Sequence, residues 1–149
     1  MEDKYLTINS IGKGYYTDRR SKFYAFAHHV ESAEEVKTLL AGYRKKYYDA
    51  RHICWAYRLG PAGEDFRMND DGEPSSTAGK PIYGQMLSHE LTDIVVFVVR
   101  YYGGVNLGTS GLIVAYREAT IDALNNAEIE ERIVESLIEF SFPYSMING

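Results

Sequence analysis

Ile94-Val95-Val96-Phe97-Val98-Val99-Arg100-Tyr101-Tyr102-Gly103-Gly104-Val105-Asn106-Leu107-Gly108-Thr109-Ser110-Gly111 passes from an unbroken apolar segment into a glycine-rich one. Ile94 to Val99 are strand-favouring residues without a polar interruption, which predicts a strand covered on both faces. Beyond the glycines, Leu112, Ala115, Tyr116, Ala119, Ala123, Leu124 and Ala127 recur at helical spacing. The stretch therefore reads as strand, tight turn and long helix. Glycine accepts positive φ and lets another group come close, so Gly103, Gly104, Gly108 and Gly111 suit a turn that presents backbone N–H groups. The N-terminal end of the helix adds a partial positive charge that favours an anion. Such glycines also commonly serve the turn alone. Neither a GxGxxG nor a GK[ST] pattern is present, so a nucleotide site does not follow.

Upstream, Tyr5 to Ile11 alternates as a strand does, with Gly12 and Gly14 read as turn residues. A second strand is expected from about Ser21 to Val30. Arg19, Arg20 and Lys22 sit near a loop edge, where solvation explains them. Ser32-Ala33-Glu34-Glu35 has the pattern of a capping box, and Val36, Leu39, Leu40, Tyr43 and Tyr47 give the helix that follows a buried stripe. His52 to Leu59 alternates between a bulky set, Ile53, Trp55, Tyr57 and Leu59, and a second set, His52, Cys54, Ala56 and Arg58. The bulky set should pack under the helices, leaving His52, Cys54 and Arg58 on a thinly covered face. A His and a Cys side by side on one strand make a poor nucleophile pair.

Gly60 to Gly63 is a turn, and Asp65 to Asn69 a short edge strand. Asn69-Asp70-Asp71-Gly72-Glu73-Pro74-Ser75-Ser76-Thr77-Ala78-Gly79-Lys80-Pro81 is the most polar stretch of the chain. It reads as a rigid hydrogen-bonding loop, or as a helix entry with Thr77 as cap and Pro81 near the first turn. It lacks the spacing of an EF-hand, and no metal site is assigned. The last helix should fade near Asn125-Asn126, with Ile129 to Ile138 and Glu139 to Phe142 strand-like.

The chain has 149 residues, 45% hydrophobic and 25% charged, with one cysteine, Cys54. This composition suits one globular domain and excludes an internal disulfide and any CxxC knuckle. No apolar run approaches membrane-spanning length and no signal peptide is recognisable, so a cytoplasmic protein with no membrane partner is expected. The formal charge of −5 argues against nucleic-acid binding over the whole surface. Ten of the 16 basic residues nevertheless lie between Lys13 and Arg58, which leaves room for a local basic patch.

His52-Ile53-Cys54-Trp55-Ala56-Tyr57-Arg58, Asp70-Asp71-Gly72-Glu73-Pro74-Ser75 with Thr77-Ala78-Gly79, and Arg100-Tyr101-Tyr102-Gly103-Gly104 with Leu107-Gly108 and Gly111-Leu112 closely resemble the YigZ/IMPACT family. Arg20-Ser21-Lys22-Phe23 matches the family's opening motif. The resemblance implies an α+β fold like domain 2 of a small-subunit ribosomal protein, a two-layer sandwich whose mixed sheet carries helices mainly on one face. It also implies an N-terminal family domain over residues 1–136, with residues 137–149 expected to open a truncated, ferredoxin-like domain. Asn106, Val114 and Ser76 depart from the family's usual Lys, Arg and Gly.

No catalysis or cofactor transfers with the resemblance. It implies a translation-related regulator, with RNA, the ribosome or a protein partner in translation control as its target. The expected binding surface comprises His52, Cys54, Arg58, Asp70, Asp71, Glu73, Ser75, Thr77, Arg100, Tyr101, Gly103, Gly104, Gly108 and Gly111. Arg100 would either hold a phosphate or pair with a carboxylate of the acidic loop. The competing reading is a hydrolase or transferase with His52 as base, an acidic-loop carboxylate as its orienting group or metal ligand, and the glycine turn as an oxyanion or phosphate cradle. A third is a module that binds only protein.

Overall fold

The computed structural model describes residues 4–134. Seven strands and three helices follow in the order β1 (Lys4–Ile8), β2 (Gly12–Asp18), β3 (Ser21–His29), α1 (Ala33–Lys46), β4 (His52–Leu59), β5 (Asp65–Asn69), α2 (Gly79–Ser88), β6 (Ile94–Tyr101), α3 (Gly108–Asn125) and β7 (Ile129–Ile133). The main sheet has the order β2-β3-β6-β4-β5, and β1 pairs with β7 in a separate ribbon. The expected α+β architecture is the one observed. The sheet is antiparallel rather than mixed as expected: β3 and β4 run the same way, joined by α1, but β6 inserts between them, and every hydrogen-bonded pair is antiparallel.

β6 is the central strand, and Ile94 to Val99 are all fully buried. Alternation sends Val96 and Val98 to one face, with Phe23, Ala25, Ala27, Cys54 and Ala56, under α2 and α3. Val95, Phe97 and Val99 go to the other, with Ile53, Trp55, Tyr57 and Leu59, under α1. Two of the three helices thus cover the face that holds Cys54 and Ala56. The thin cover expected over that face is not found. Its residues are small because α2 and α3 pack close, not because the face is bare.

The same close approach explains the strand the sequence hid. Gly12 and Gly14 lie inside β2 rather than in a turn. A Cβ on Gly14 would fall 2.3 Å from the Ala123 backbone nitrogen, so only glycine lets α3 lie on this strand. The α1 cap is also shared differently from the expected box. Ser32 Oγ accepts from the Glu35 N–H at 3.2 Å, but Glu35 Oε1 accepts from the Glu31 N–H at 2.6 Å. The strand-like segments expected over residues 135–142 and the second domain expected from residue 137 lie outside the described residues. No helix among those described is long and apolar enough to cross a membrane.

Candidate functional site: a recess between the acidic loop and the α3 N-terminus

The polar loop after β5 is held by its own carboxylates. Asp70 Oδ1 accepts from the N–H groups of Gly79 at 2.8 Å and Ala78 at 3.2 Å, and Oδ2 accepts from Ser76 N–H at 2.9 Å. Asp70 therefore caps α2 from nine residues upstream. Thr77, expected as the cap, turns its hydroxyl to the Pro74 carbonyl instead. Asp71 Oδ2 accepts from Ile53 N–H at 2.7 Å and so continues the edge of β4 where β5 has ended. Ser76 holds φ +66°, in the left-handed region where a Cβ costs about 1–2 kcal/mol. Ser76→Gly is expected to raise stability by about 1 kcal/mol, seen as a higher urea midpoint at unchanged slope. An unchanged or lower midpoint would contradict this.

Glu73 turns inward. Its carboxylate is almost fully buried and accepts from Arg100 Nη1 at 2.7 and 3.0 Å and from the Tyr116 hydroxyl, with His52 Nε2 3.5 Å away. His52 and Arg100 are cross-strand neighbours on β4 and β6, which brings them to one carboxylate. Arg100 Nη2 also donates to Ser21 Oγ at 3.3 Å, and the same oxygen accepts from the Gly103 N–H. A Cβ on Gly103 would meet the Arg20 and Ser21 backbone, so that glycine serves close packing of the β2–β3 turn. Of the two roles foreseen for Arg100, the structure shows the ion pair. His52 Nδ1 donates to the Asp71 carbonyl.

Above this network lies a recess of about 450 Å³ lined by Arg51, His52, Gly72, Glu73, Pro74, Arg100, Tyr102, Asn106, Leu107, Gly108, Thr109 and Leu112. The strand, loop and turn motifs meet here. α3 has no side-chain cap, and the N–H groups of Gly108, Thr109 and Ser110 have no acceptor among the described residues. Arg51 lies over the Tyr102 ring at 4.6 Å and has no carboxylate partner among those residues.

Other expected residues stand elsewhere. Arg58 is at the far end of β4 and donates to the Leu91 and Ala62 carbonyls. Tyr101 points to the α1 face, its hydroxyl on Asp49. Cys54 is buried beneath the network, its Sγ on the Asp70 carbonyl and the Tyr116 hydroxyl, and burial pushes its thiol far above the usual range. Ser75 is exposed and Thr77 buried, and neither lines the recess. Gly104 takes φ +91° with open space around its Cα, and Gly111 lies in the first turn of α3. Ser21, Arg51, Tyr102 and Tyr116 belong to the site but were not among the residues singled out. Ser21 stood in the opening motif. Tyr116 looked like one more core residue of a helical stripe, although a buried phenol needs a partner for its hydroxyl.

The Impact N-terminal domain family model matches residues 19–124. An IMPACT family member of Haemophilus influenzae is 34% identical over 87% of the chain and 64% of its own length. The Bacillus subtilis IMPACT family member YvyE is 31% identical over 99% of the chain and 68% of its own. A solved structure described as a hypothetical protein superposes with a TM-score of 0.84 at 33% identity, covering 89% of this chain and 65% of that one. The structure of the two-domain translational regulator Yih1 shares the fold at a TM-score of 0.50 and 24% identity, over 78% of this chain and 47% of that one. The chain thus spans about two-thirds of the bacterial relatives it resembles. With a family model covering residues 19–124 and relatives matched along most of its length, the chain belongs to the Impact N-terminal domain family.

Proposed function

We propose that this chain is a non-enzymatic binding domain acting in translation control, and that its recess receives an RNA phosphate. The observation that carries the reading is the pairing of unpartnered α3 N–H groups with the unpaired Arg51 guanidinium on one recess. The translational setting comes from the likeness to Yih1 and to relatives named IMPACT. Against a hydrolase, His52 has no hydroxyl or thiol hydrogen-bonded to its ring among the described residues, and Glu73 is already occupied by Arg100 and Tyr116. Cys54 is too deeply buried to act as a nucleophile.

Fluorescence anisotropy with a labelled RNA hairpin tests the reading. Affinity should fall steeply with added salt, and Arg51→Glu, an exposed change, should weaken binding about tenfold or more. A flat salt response, or an Arg51→Glu variant that binds as the parent does, would remove it.

A further inference from the structure

The α1 face of the sheet is not covered out to its β2 edge. α1 lays Tyr43 and Tyr47 over Phe26, and the sheet continues past them. On this continuation Tyr15 of β2 faces Tyr24 of β3 in register, their rings 5.1 Å apart, and Tyr24 meets Tyr101 of β6 edge-on at 6.2 Å. Tyr15 is 44% exposed. Lys13 precedes Tyr15 by two residues and Lys22 precedes Tyr24 by two, so strand alternation puts both exposed lysines on the face that carries the tyrosines. The adjoining carboxylates are engaged, Asp49 with the Tyr101 hydroxyl and Asp122 with the Tyr15 N–H. The two depressions on this face share Tyr24 and Tyr47, and one of them reaches Tyr102, which also lines the recess.

Aromatic rings interleaved with lysines on an open antiparallel sheet match the two faces of a single-stranded polynucleotide. The rings take bases by stacking whatever their sequence, and the lysines follow the phosphates. An acidic protein partner would meet the lysines equally well; the tilted Tyr15–Tyr24 pair and the edge-on Tyr24–Tyr101 contact leave ring surface beside the lysines, which favours the polynucleotide. We infer that the β2–β3–β6 sheet face is a stacking platform for a single-stranded nucleic acid, with Tyr15 as its outermost base contact and Tyr24 and Tyr101 inside it. The face is distinct from the recess and would stand if the recess took another ligand. Because Tyr102 borders both, a strand anchored in the recess would reach the tyrosines directly.

The test uses the full chain with labelled oligouridylate and its deoxythymidine counterpart, which separates RNA from DNA as the source of the strand. Tyr15→Leu keeps a strand-forming apolar residue but loses the ring, and Tyr15→Phe keeps the ring. The platform predicts that Tyr15→Leu weakens binding roughly five- to a hundredfold, in line with one lost base stack. Tyr15→Phe should bind as the parent does, and Lys22→Ala should reduce the salt slope by about one phosphate's worth. Thermal melting verifies that each variant is folded. No binding of either oligonucleotide by the parent chain overturns the proposal, as does binding indifferent to Tyr15→Leu. A loss on Arg51→Glu without a loss on Tyr15→Leu would leave the recess reading standing and remove this one. The reverse pattern would keep the platform and remove the recess.

Discussion

Glu73→Ala is expected to destabilise the protein by about 3–5 kcal/mol, because it strands the Arg100 guanidinium inside the fold. Arg100 is 5% exposed, and its Nε already lacks a partner. Without Glu73 its one remaining side-chain hydrogen bond among the described residues is the 3.3 Å contact to Ser21 Oγ, beside the Phe23 and Tyr102 rings, while the buried Tyr116 hydroxyl loses its carboxylate acceptor. Glu73→Gln keeps the shape and one acceptor oxygen but removes the charge, so it should cost less than alanine and still more than a surface change. Urea unfolding monitored by Trp55 fluorescence gives both values. A loss under about 1 kcal/mol for Glu73→Ala would mean that Arg100 is solvated and that the network does not organise the site.

Gly14→Ala is the second large effect. The added methyl would sit 2.3 Å from the Ala123 nitrogen and 2.6 Å from the Ala119 carbonyl oxygen, both backbone atoms that no rotamer change can move aside. Either β2 or α3 must shift, and overpacking of this kind costs about 1–3 kcal/mol, more where backbone is struck. Gly42→Ala is the control. It lies within α1 with nothing within 4 Å of the added Cβ, and should stabilise by about 0.5–1 kcal/mol through helix propensity. Melting temperatures that move the same way in both variants would contradict the close seating of α3 on β2.

These two sites show where the sequence was readable. β4 begins and ends where alternation placed it, β5 occupies the edge segment expected between the Gly60 turn and the polar loop, and β6 is buried on both faces as its apolar run required. Local rules sufficed because each signal lies within the element it describes. β2 was missed because its glycines read as punctuation, whereas their reason is a helix more than a hundred residues later. The α2 cap was assigned to Thr77 because caps are normally adjacent, but Asp70 reaches the same N–H groups through a folded loop. Cys54 was placed on a thin face because small side chains resemble an absence of packing, when here they admit α2 and α3.

At the site, the meeting of His52, Glu73, Arg100 and the glycine turn was legible as a set of motifs, though not the direction of the carboxylates. Asp70, Asp71 and Glu73 were read as part of a binding surface; the carboxylates of Asp70 and Asp71 satisfy backbone N–H groups of the loop and of β4, and that of Glu73 pairs with Arg100. Tyr101 was grouped with Arg100, its neighbour in the chain, but period two sends the pair to opposite faces of the sheet. What remains exposed at the recess is cationic and amide in character, supplied by Arg51 and the first turn of α3.

The most direct test of that character is a titration of the isotopically labelled chain with single-stranded RNA, followed through backbone amide resonances. The account predicts that Gly108, Thr109 and Ser110 shift progressively, and that the Arg51 side-chain signals shift with them. Shifts confined to other surfaces, with the first turn of α3 unmoved at saturation, would contradict it.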